Sequence, residues 1–263
     1  MTTPTVARLI NGERVALLGW SRAILMQLAH PLIAAGVTRY SSFQGEASQA
    51  AARAHQTVGA MLALTFGDDD RRTAAIEHIR GIHRMVNGTL AEDVGSFPAG
   101  THYSAEDPAL LLWVHATLLD SVVDVYQRVV AALQTAELDA FCLESLPTLF
   151  DLGGNPATAP RTWAALQDYV RGVERSGVLA VTPATRAFAD LVLWPRGVWP
   201  VAVGPVNRAI TIGLLPPAVR DVYGYAWDAA RARRFERAMR VVRATRQLTP
   251  RVLAQWRDAR SVR

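Results

Sequence analysis

Residues 107–132 read DPALLLWVHATLLDSVVDVYQRVVAA. An aspartate followed by a proline is typical of a helix start, because the carboxylate accepts hydrogen bonds from the free backbone N–H groups and proline fits the first turn. The apolar residues that follow recur at helical spacing and do not alternate as they would in a strand. This stretch therefore predicts a strongly apolar helix that runs from residue 108 to about Ala132.

Helical spacing extends over most of the remaining chain, and alternating strand patterns are scarce. The other predicted helices cover residues 22–36, 47–66, 71–86, 137–149, 163–175, 183–194 and 226–247. His30-Pro31 should kink the first of these or start a new helix, because proline lacks a backbone N–H. Asp68 to Asp70 should cap the helix over 71–86, while residues 89–101, with His102 beside them, and 151–160 should form loops. We predict an all-α fold of about nine or ten helices, one globular domain over 1–263 with a basic helical segment at 226–263.

The composition excludes several classes of protein. Half of the 263 residues are hydrophobic and only 19% are charged, which excludes a disordered chain. The single cysteine, Cys142, excludes intrachain disulfides and thiolate metal clusters, and its apolar flanks favour a buried structural thiol. All 28 basic residues are arginine, so chemistry that needs a lysine is excluded. Phosphate-loop, GxGxxG, HExxH, GxSxG and ExxH motifs are absent from the sequence.

The positive charge is concentrated near the C-terminus. The formal net charge is +5, and residues 231–263 carry eleven arginines against Glu236 and Asp258, while residues 1–230 are close to neutral. A basic protein suggests nucleic acid or an anionic membrane as partner, but a basic segment on an apolar domain favours membrane-surface contact or a solvated tail. We therefore expect no nucleic-acid partner.

No secretory signal is visible at the N-terminus, so the expected location is the cytoplasm, with contact at the membrane face as an addition. The most apolar stretch is residues 197–219, which contains Arg208 and four prolines. Such a stretch is a poor spanning helix. A buried hairpin or a segment that dips into the membrane is the better interpretation.

Two helices present residues that could carry chemistry. Arg53, Gln56 and Thr57 share one helix face because they lie at i, i+3 and i+4, and Ala60, Met61 and Leu64 continue that face. They form either a solvated helix start or a polar lining above an apolar ligand. On the next helix His83 lies in an apolar stripe with Ile76, Ile79 and Val86, while His78 should point elsewhere. His83 is either a core histidine or an axial ligand of a haem iron.

The other histidines carry weaker signals. His30, His102 and His115 are each candidates for a hydrogen-bonded core residue, and His55 should be exposed.

Five blocks in order carry a resemblance to a known family. They are ERVALLGWSRAILMQLAHPLIAAGV, RAHQT, FGDDD…IRGIHRMVNG, HYSAEDPALLLWVHATLLDS and LLPPAVRDVYGYAW, the last followed by an arginine-rich helix. Over roughly residues 10–257 the chain resembles the DUF2236 family of MpaB-like oxygenases and latex-clearing rubber oxygenases. The resemblance implies an all-helical fold that encloses haem b in an apolar cavity.

The resemblance also implies site residues. It places His83 at the position of the proximal iron ligand. It places Arg53 and Thr57 at the positions of an arginine and a threonine that the rubber enzymes carry on the preceding helix. The lysine that lies between those two in the rubber enzymes is Gln56 here, which implies an open or water-bound distal side, or a site with altered chemistry. The resemblance gives no counterpart in this chain for the catalytic carboxylate assigned in the rubber enzymes, and Glu46, the nearest acid, is a weak candidate for it.

The implied function is a haem b-dependent oxygenase that uses dioxygen on an apolar alkene or isoprenoid-like substrate. Because the chain is shorter than the rubber enzymes, the polymer itself is not the expected substrate. Two alternatives stay open: a haem-dependent dehydrogenase or hydroxylase of a small metabolite, and a non-catalytic haem or lipid carrier.

Overall fold

A computed structural model describes residues 5–40, 47–193 and 204–260, with side chains for all of these except 40 and 47–54. A short 3-10 helix covers Arg14–Ala16, and the strands are β1 (Asn87–Thr89) and β2 (His102–Ser104). The helices are α1 (Val6–Asn11), α2 (Leu17–Leu28), α3 (Pro31–Tyr40), α4 (Ala47–Phe66), α5 (Asp69–Met85), α6 (Pro108–Val129), α7 (Thr135–Asp151), α8 (Trp163–Arg175), α9 (Pro183–Leu193), α10 (Gly204–Leu214), α11 (Pro217–Tyr223), α12 (Ala229–Leu248), α13 (Arg251–Ala254) and α14 (Arg257–Arg260). The all-α prediction is confirmed.

Most helix ends fall within three residues of the predicted ends, but α2 begins at Leu17, five residues before the predicted start, and α3 ends at Tyr40, four residues after the predicted end. The Asp107 carboxylate accepts a hydrogen bond from the Ala109 N–H at 2.8 Å, and Asp68 accepts one from Arg71 N–H at 2.9 Å. The break between α2 and α3 lies at Pro31, as the missing N–H of proline requires. The described residues form fourteen α-helices, more than the nine or ten expected, because α1, α11, α13 and α14 are too short to show a helical period.

The loop prediction for His102 is wrong. Residues 87–89 and 102–104 form an antiparallel hairpin in which Gly88 lies opposite Tyr103. Three-residue strands are too short for an alternating pattern to be recognised. Tyr103 is buried in this hairpin, and His102 is exposed beside it.

The core is built around α6, which packs mainly against α2 and also contacts α7, α8 and α12. Trp113, Val123 and Phe141 are among its largest fully buried side chains. Among the described helices, α6 alone is long and apolar enough to cross a bilayer, but 72% of its most apolar stretch is buried inside the protein. This burial is what the central helix of a protein core requires.

The apolar stretch at 197–219 lies only partly within the described residues. From residue 204 onward it forms α10 and α11, and Ile210 and Leu214 pack with Phe235 and Met239 of α12. The described part therefore packs against the core as a pair of helices, which agrees with the buried-hairpin interpretation.

Two polar contacts tie distant parts of the chain together. Arg22 of α2 is buried and pairs with Asp120 of α6 at 2.5 Å, while its Nε donates to the Leu214 carbonyl at 2.8 Å. Buried Glu13 accepts hydrogen bonds from Nε and Nη2 of Arg246, both at 2.6 Å. The second contact fixes the C-terminal part of α12 on the body of the protein.

Candidate functional site

A cavity of about 550 Å³ lies between α3, α4, α5, the hairpin and the N-terminal half of α6. Most of its wall is apolar, and among the described side chains the wall includes no acidic residue. The residues that line it are Gln27, Leu32, Ile33, Gly36, Val37, Gln56, Thr57, Ala60, His78, Ile79, Ile82, His83, Val86, Tyr103, Ser104, Ala105, Leu110, Leu111 and Val114.

The polar contribution of α4 comes from Gln56 and Thr57, with Ala60 one turn further along. This is the face predicted to be a polar lining above an apolar ligand, although Met61 and Leu64 do not line the cavity. Arg53 lies one turn before Gln56 on the same helix, and its side chain is outside the described part of the structure. Glu46, the weak candidate for a carboxylate, is also outside the described residues.

His83 brings an imidazole into the cavity from the last turn of α5. Its Nδ1 atom is buried and has no hydrogen-bond partner among the described residues. Burial lowers the pKa of His83 below its ordinary value, and the nearby charge of Glu106 opposes this shift only in part. The imidazole is therefore neutral at pH 7 and keeps a lone pair on one ring nitrogen, which is the form that binds a metal.

A second histidine, His78, also lines the cavity, which corrects the expectation that it points elsewhere. The cavity is wide enough to contact two sides of α5, one with Ile79 and His83 and the other with His78 and Ile82. A prediction that rests on one narrow apolar stripe of α5 therefore leaves out His78. Its i, i+4 spacing to the apolar Ile82 was the signal that could have identified it.

The remaining histidines do not line this cavity. His30 is buried, its Nδ1 has no hydrogen-bond partner among the described residues, and its ring lies 5.5 Å from that of Phe97. Burial lowers the pKa of His30 to about 4, against the opposing charge of Asp107, and burial lowers that of His115 to about 4 as well. His55 and His102 are exposed.

The mouth of the cavity is apolar. Ile82 and Val114 both line the cavity and are exposed to solvent, and Met85 is exposed in the next turn of α5. An exposed apolar rim favours ligands that are themselves apolar.

The described residues hold no other arrangement suited to a metal. No three His, Cys, Asp or Glu side chains gather among them. Cys142 is buried, and burial raises the pKa of its thiol to about 12, as expected for a structural thiol. A metal in the cavity would therefore depend on one or two imidazoles and on a cofactor that brings further ligands.

Comparison with known proteins identifies the family. Residues 7–244 match the family model described as "ER-bound oxygenase mpaB/B'/Rubber oxygenase, catalytic domain". The chain is 28% identical over 232 residues to the uncharacterized protein Mb2261 of Mycobacterium bovis and to the uncharacterized protein Rv2237 of Mycobacterium tuberculosis. In each case the match covers 86% of this chain and 87% of the relative. No solved structure matches. The chain thus belongs to the family of mpaB and rubber oxygenase catalytic domains.

Proposed function

We propose that this protein is a haem b-dependent oxygenase that uses dioxygen to oxidise an apolar substrate with an alkene or isoprenoid-like group. Membership of an oxygenase family supports the reaction class. The observation that carries the haem proposal is the buried, unpartnered Nδ1 of His83 beside an apolar cavity. A buried polar atom without a partner is costly, and a ligand that uses the imidazole would offset that cost.

The residues of the cavity fit haem b. A porphyrin requires an apolar slot and an axial nitrogen, and the cavity offers both in Leu32, Ile79, Val86 and His83. Its volume of about 550 Å³ lies in the range of sites that enclose small molecules and cofactors. The absence of carboxylates from its described wall avoids repulsion of the porphyrin propionates.

When bound, haem would supply the redox-active iron that activates dioxygen. His83 would hold the iron, since burial keeps its imidazole neutral. Gln56 and Thr57 bring an amide and a hydroxyl to the wall, and both can donate hydrogen bonds to negative charge that develops in the cavity. In this proposal Arg53 adds a positive charge on the same helix face and pairs with a propionate or with that developing charge.

Glutamine at position 56 changes what this wall can do. Its amide stays neutral at every pH, so it cannot supply the charged amine of a lysine. Apolar residues such as Ala60 and Ile79 share this wall, and an apolar ligand bound there would exclude water and strengthen the hydrogen bonds that the wall donates. The apolar rim at Ile82 and Val114 supports a small apolar substrate that enters from solvent.

The haem proposal is tested by reconstitution of the purified protein with haemin. We expect a Soret band with wild type, loss of at least nine-tenths of bound haem in His83→Ala, and retention of haem in the matched variant His78→Ala. Far-UV circular dichroism should be the same for all three proteins. If His83→Ala retains haem and His78→Ala loses it, the iron ligand is His78. A wild type that binds no haem would contradict the proposal.

The oxygenase proposal is tested with haem-loaded protein and short isoprenoid alkenes under ¹⁸O₂. We expect oxygen consumption and products that contain ¹⁸O. Products without the label would support the dehydrogenase alternative. If no alkene is turned over, the result would support the haem-carrier alternative.

A further inference from the structure

The side of α12 that packs on the protein is well defined. Phe235 and Met239 are buried, and Val242 and Arg246 are partly buried, at helical offsets of 0, 4, 7 and 11. They face α10 and α6, where Phe235 and Met239 join Val125 and Ile210 in a small core. The opposite side of α12 is therefore the side that faces away from the body.

That opposite side combines arginine with exposed apolar residues. Arg237, Val241, Ala244 and Leu248 each follow the packed positions by two residues, about 200° around the helix. Leu248 is 85% exposed, and Val241, with Val252 and Leu253 in α13, is more than half exposed. We call the exposed side chains within residues 233–253 the α12–α13 face.

The α12–α13 face is held in place. Glu13 accepts two hydrogen bonds from Arg246 and one from Nε2 of Gln255 at 2.7 Å. It therefore binds the chain both before and after α13. Because this carboxylate is buried, breaking the contact would leave a charge without a partner in the interior. The exposed leucines are therefore not on a frayed tail, which argues against the solvated-tail interpretation.

The charge of this region selects the partner. Residues 229–260 carry ten arginines against two acidic residues, Glu236 and Asp258. A second copy of the chain would bring arginine against arginine, which disfavours self-association through this face. Nucleic acid would engage the arginines but would leave Val241, Leu248, Val252 and Leu253 exposed to water. An anionic lipid surface engages both, because its phosphates pair with arginine and its acyl boundary takes up apolar side chains.

We infer that the α12–α13 face docks the protein peripherally on membranes that contain anionic lipid. The arginines supply the attraction to the headgroups, and the apolar residues at the α12–α13 turn insert at the acyl boundary. This inference does not depend on the haem site.

Co-sedimentation with vesicles tests the inference directly. We expect the wild type to bind vesicles of phosphatidylcholine with 30% phosphatidylglycerol at low salt, and to bind pure phosphatidylcholine at least tenfold more weakly. The charge variant Arg233→Gln/Arg237→Gln/Arg240→Gln should lose at least tenfold in affinity for the anionic vesicles, since one basic residue near such a surface contributes about fivefold. The apolar variant Leu248→Ser/Val252→Ser/Leu253→Ser should also lose at least tenfold.

A matched control removes three exposed arginines elsewhere, in Arg161→Gln/Arg171→Gln/Arg175→Gln. It should stay within about twofold of wild type, and all variants should unfold at the wild-type temperature. Equal binding to neutral and anionic vesicles, or equal losses in the control and the charge variant, would overturn the inference. So would binding of a single-stranded RNA oligonucleotide, in place of vesicles, that survives the apolar substitutions.

Discussion

At the scale of single residues, Arg22 carries the most consequential interaction in the core. It joins three helices, because its guanidinium pairs with Asp120 and donates to Ser121 of α6 and to the Leu214 carbonyl at the end of α10. Gln167 of α8 donates to the other oxygen of Asp120. Each member of this buried group therefore depends on the others for a partner.

We expect Arg22→Ala or Asp120→Ala to lower the free energy of unfolding by about 3–5 kcal/mol, because each leaves a buried charge without its partner. The matched pair is Arg128 and Asp124, also one arginine and one aspartate, but at the surface of α6. Its alanine variants should cost less than about 1 kcal/mol. Urea unfolding of all four variants is the measurement. If the buried variants do not fold, Asp120→Asn gives the milder comparison, and equal costs in both pairs would contradict the prediction.

The cavity residues show how far a sequence defines a site. Gln56, Thr57 and His83 reach one cavity, and the helical spacing of each helix indicates which face it uses. The spacing of residues within one helix gives no information about the width of the space between helices. The apolar stripe on α5 therefore predicts that His78 points away from the cavity, whereas it lies in the cavity wall. The hairpin wall at Tyr103 to Ala105 was not predicted, since it depends on a pairing between residues more than a dozen positions apart.

At the scale of elements, the contact between α2 and α6 requires a glycine. A Cβ added at Gly19 would lie 2.5 Å from the Ser121 carbonyl oxygen, which is backbone and cannot turn away. The central helix pair can thus approach closely only because position 19 has no side chain. The helix predicted at 22–36 begins three residues after Gly19, so the sequence gives no sign that this glycine lies at the crossing.

Two glycine-to-alanine variants test this contact. Alanine favours a helix over glycine by about 1 kcal/mol. At Gly172 of α8, where a Cβ would meet nothing within 4 Å, Gly172→Ala should raise stability by up to about that amount. Gly19→Ala should instead lower it by about 1–3 kcal/mol, because α2 must move away from α6. Thermal unfolding of both variants is the measurement, and stabilisation by Gly19→Ala would show that the helices adjust freely.

The elements that the sequence predicted well share one property. The capped starts at Asp68 and Asp107 and the break at Pro31 are fixed by interactions within four residues, so local sequence is sufficient to place them. The short helices α11, α13 and α14 depend on contacts with the rest of the chain. Trp256 N–H, for example, donates to the distant Gly12 carbonyl at 3.0 Å between α13 and α14.

At the scale of the whole molecule, α6 belongs to both the core and the cavity. Leu110, Leu111 and Val114 line the cavity, while buried residues between Ala116 and Val129 pack in the core. A change that destabilises the core should therefore also disturb the cavity wall, because α6 belongs to both.

Acid should produce such a loss, and buried histidines set its range. Burial lowers the pKa of His30 to about 4, whereas an unfolded chain protonates this residue near pH 6.5. Between those two values the unfolded state binds more protons, so the free energy of unfolding falls as the pH falls, by up to about 1.4 kcal/mol per pH unit for one histidine. Above pH 6.5 this contribution is constant.

We expect urea unfolding at pH 7.5, 6.5, 5.5 and 5.0 to show the decline. His30→Gln should reduce its slope by about one proton, whereas His55→Gln, at an exposed site, should leave the slope unchanged. An identical slope in wild type and His30→Gln would mean that His30 protonates within the folded protein.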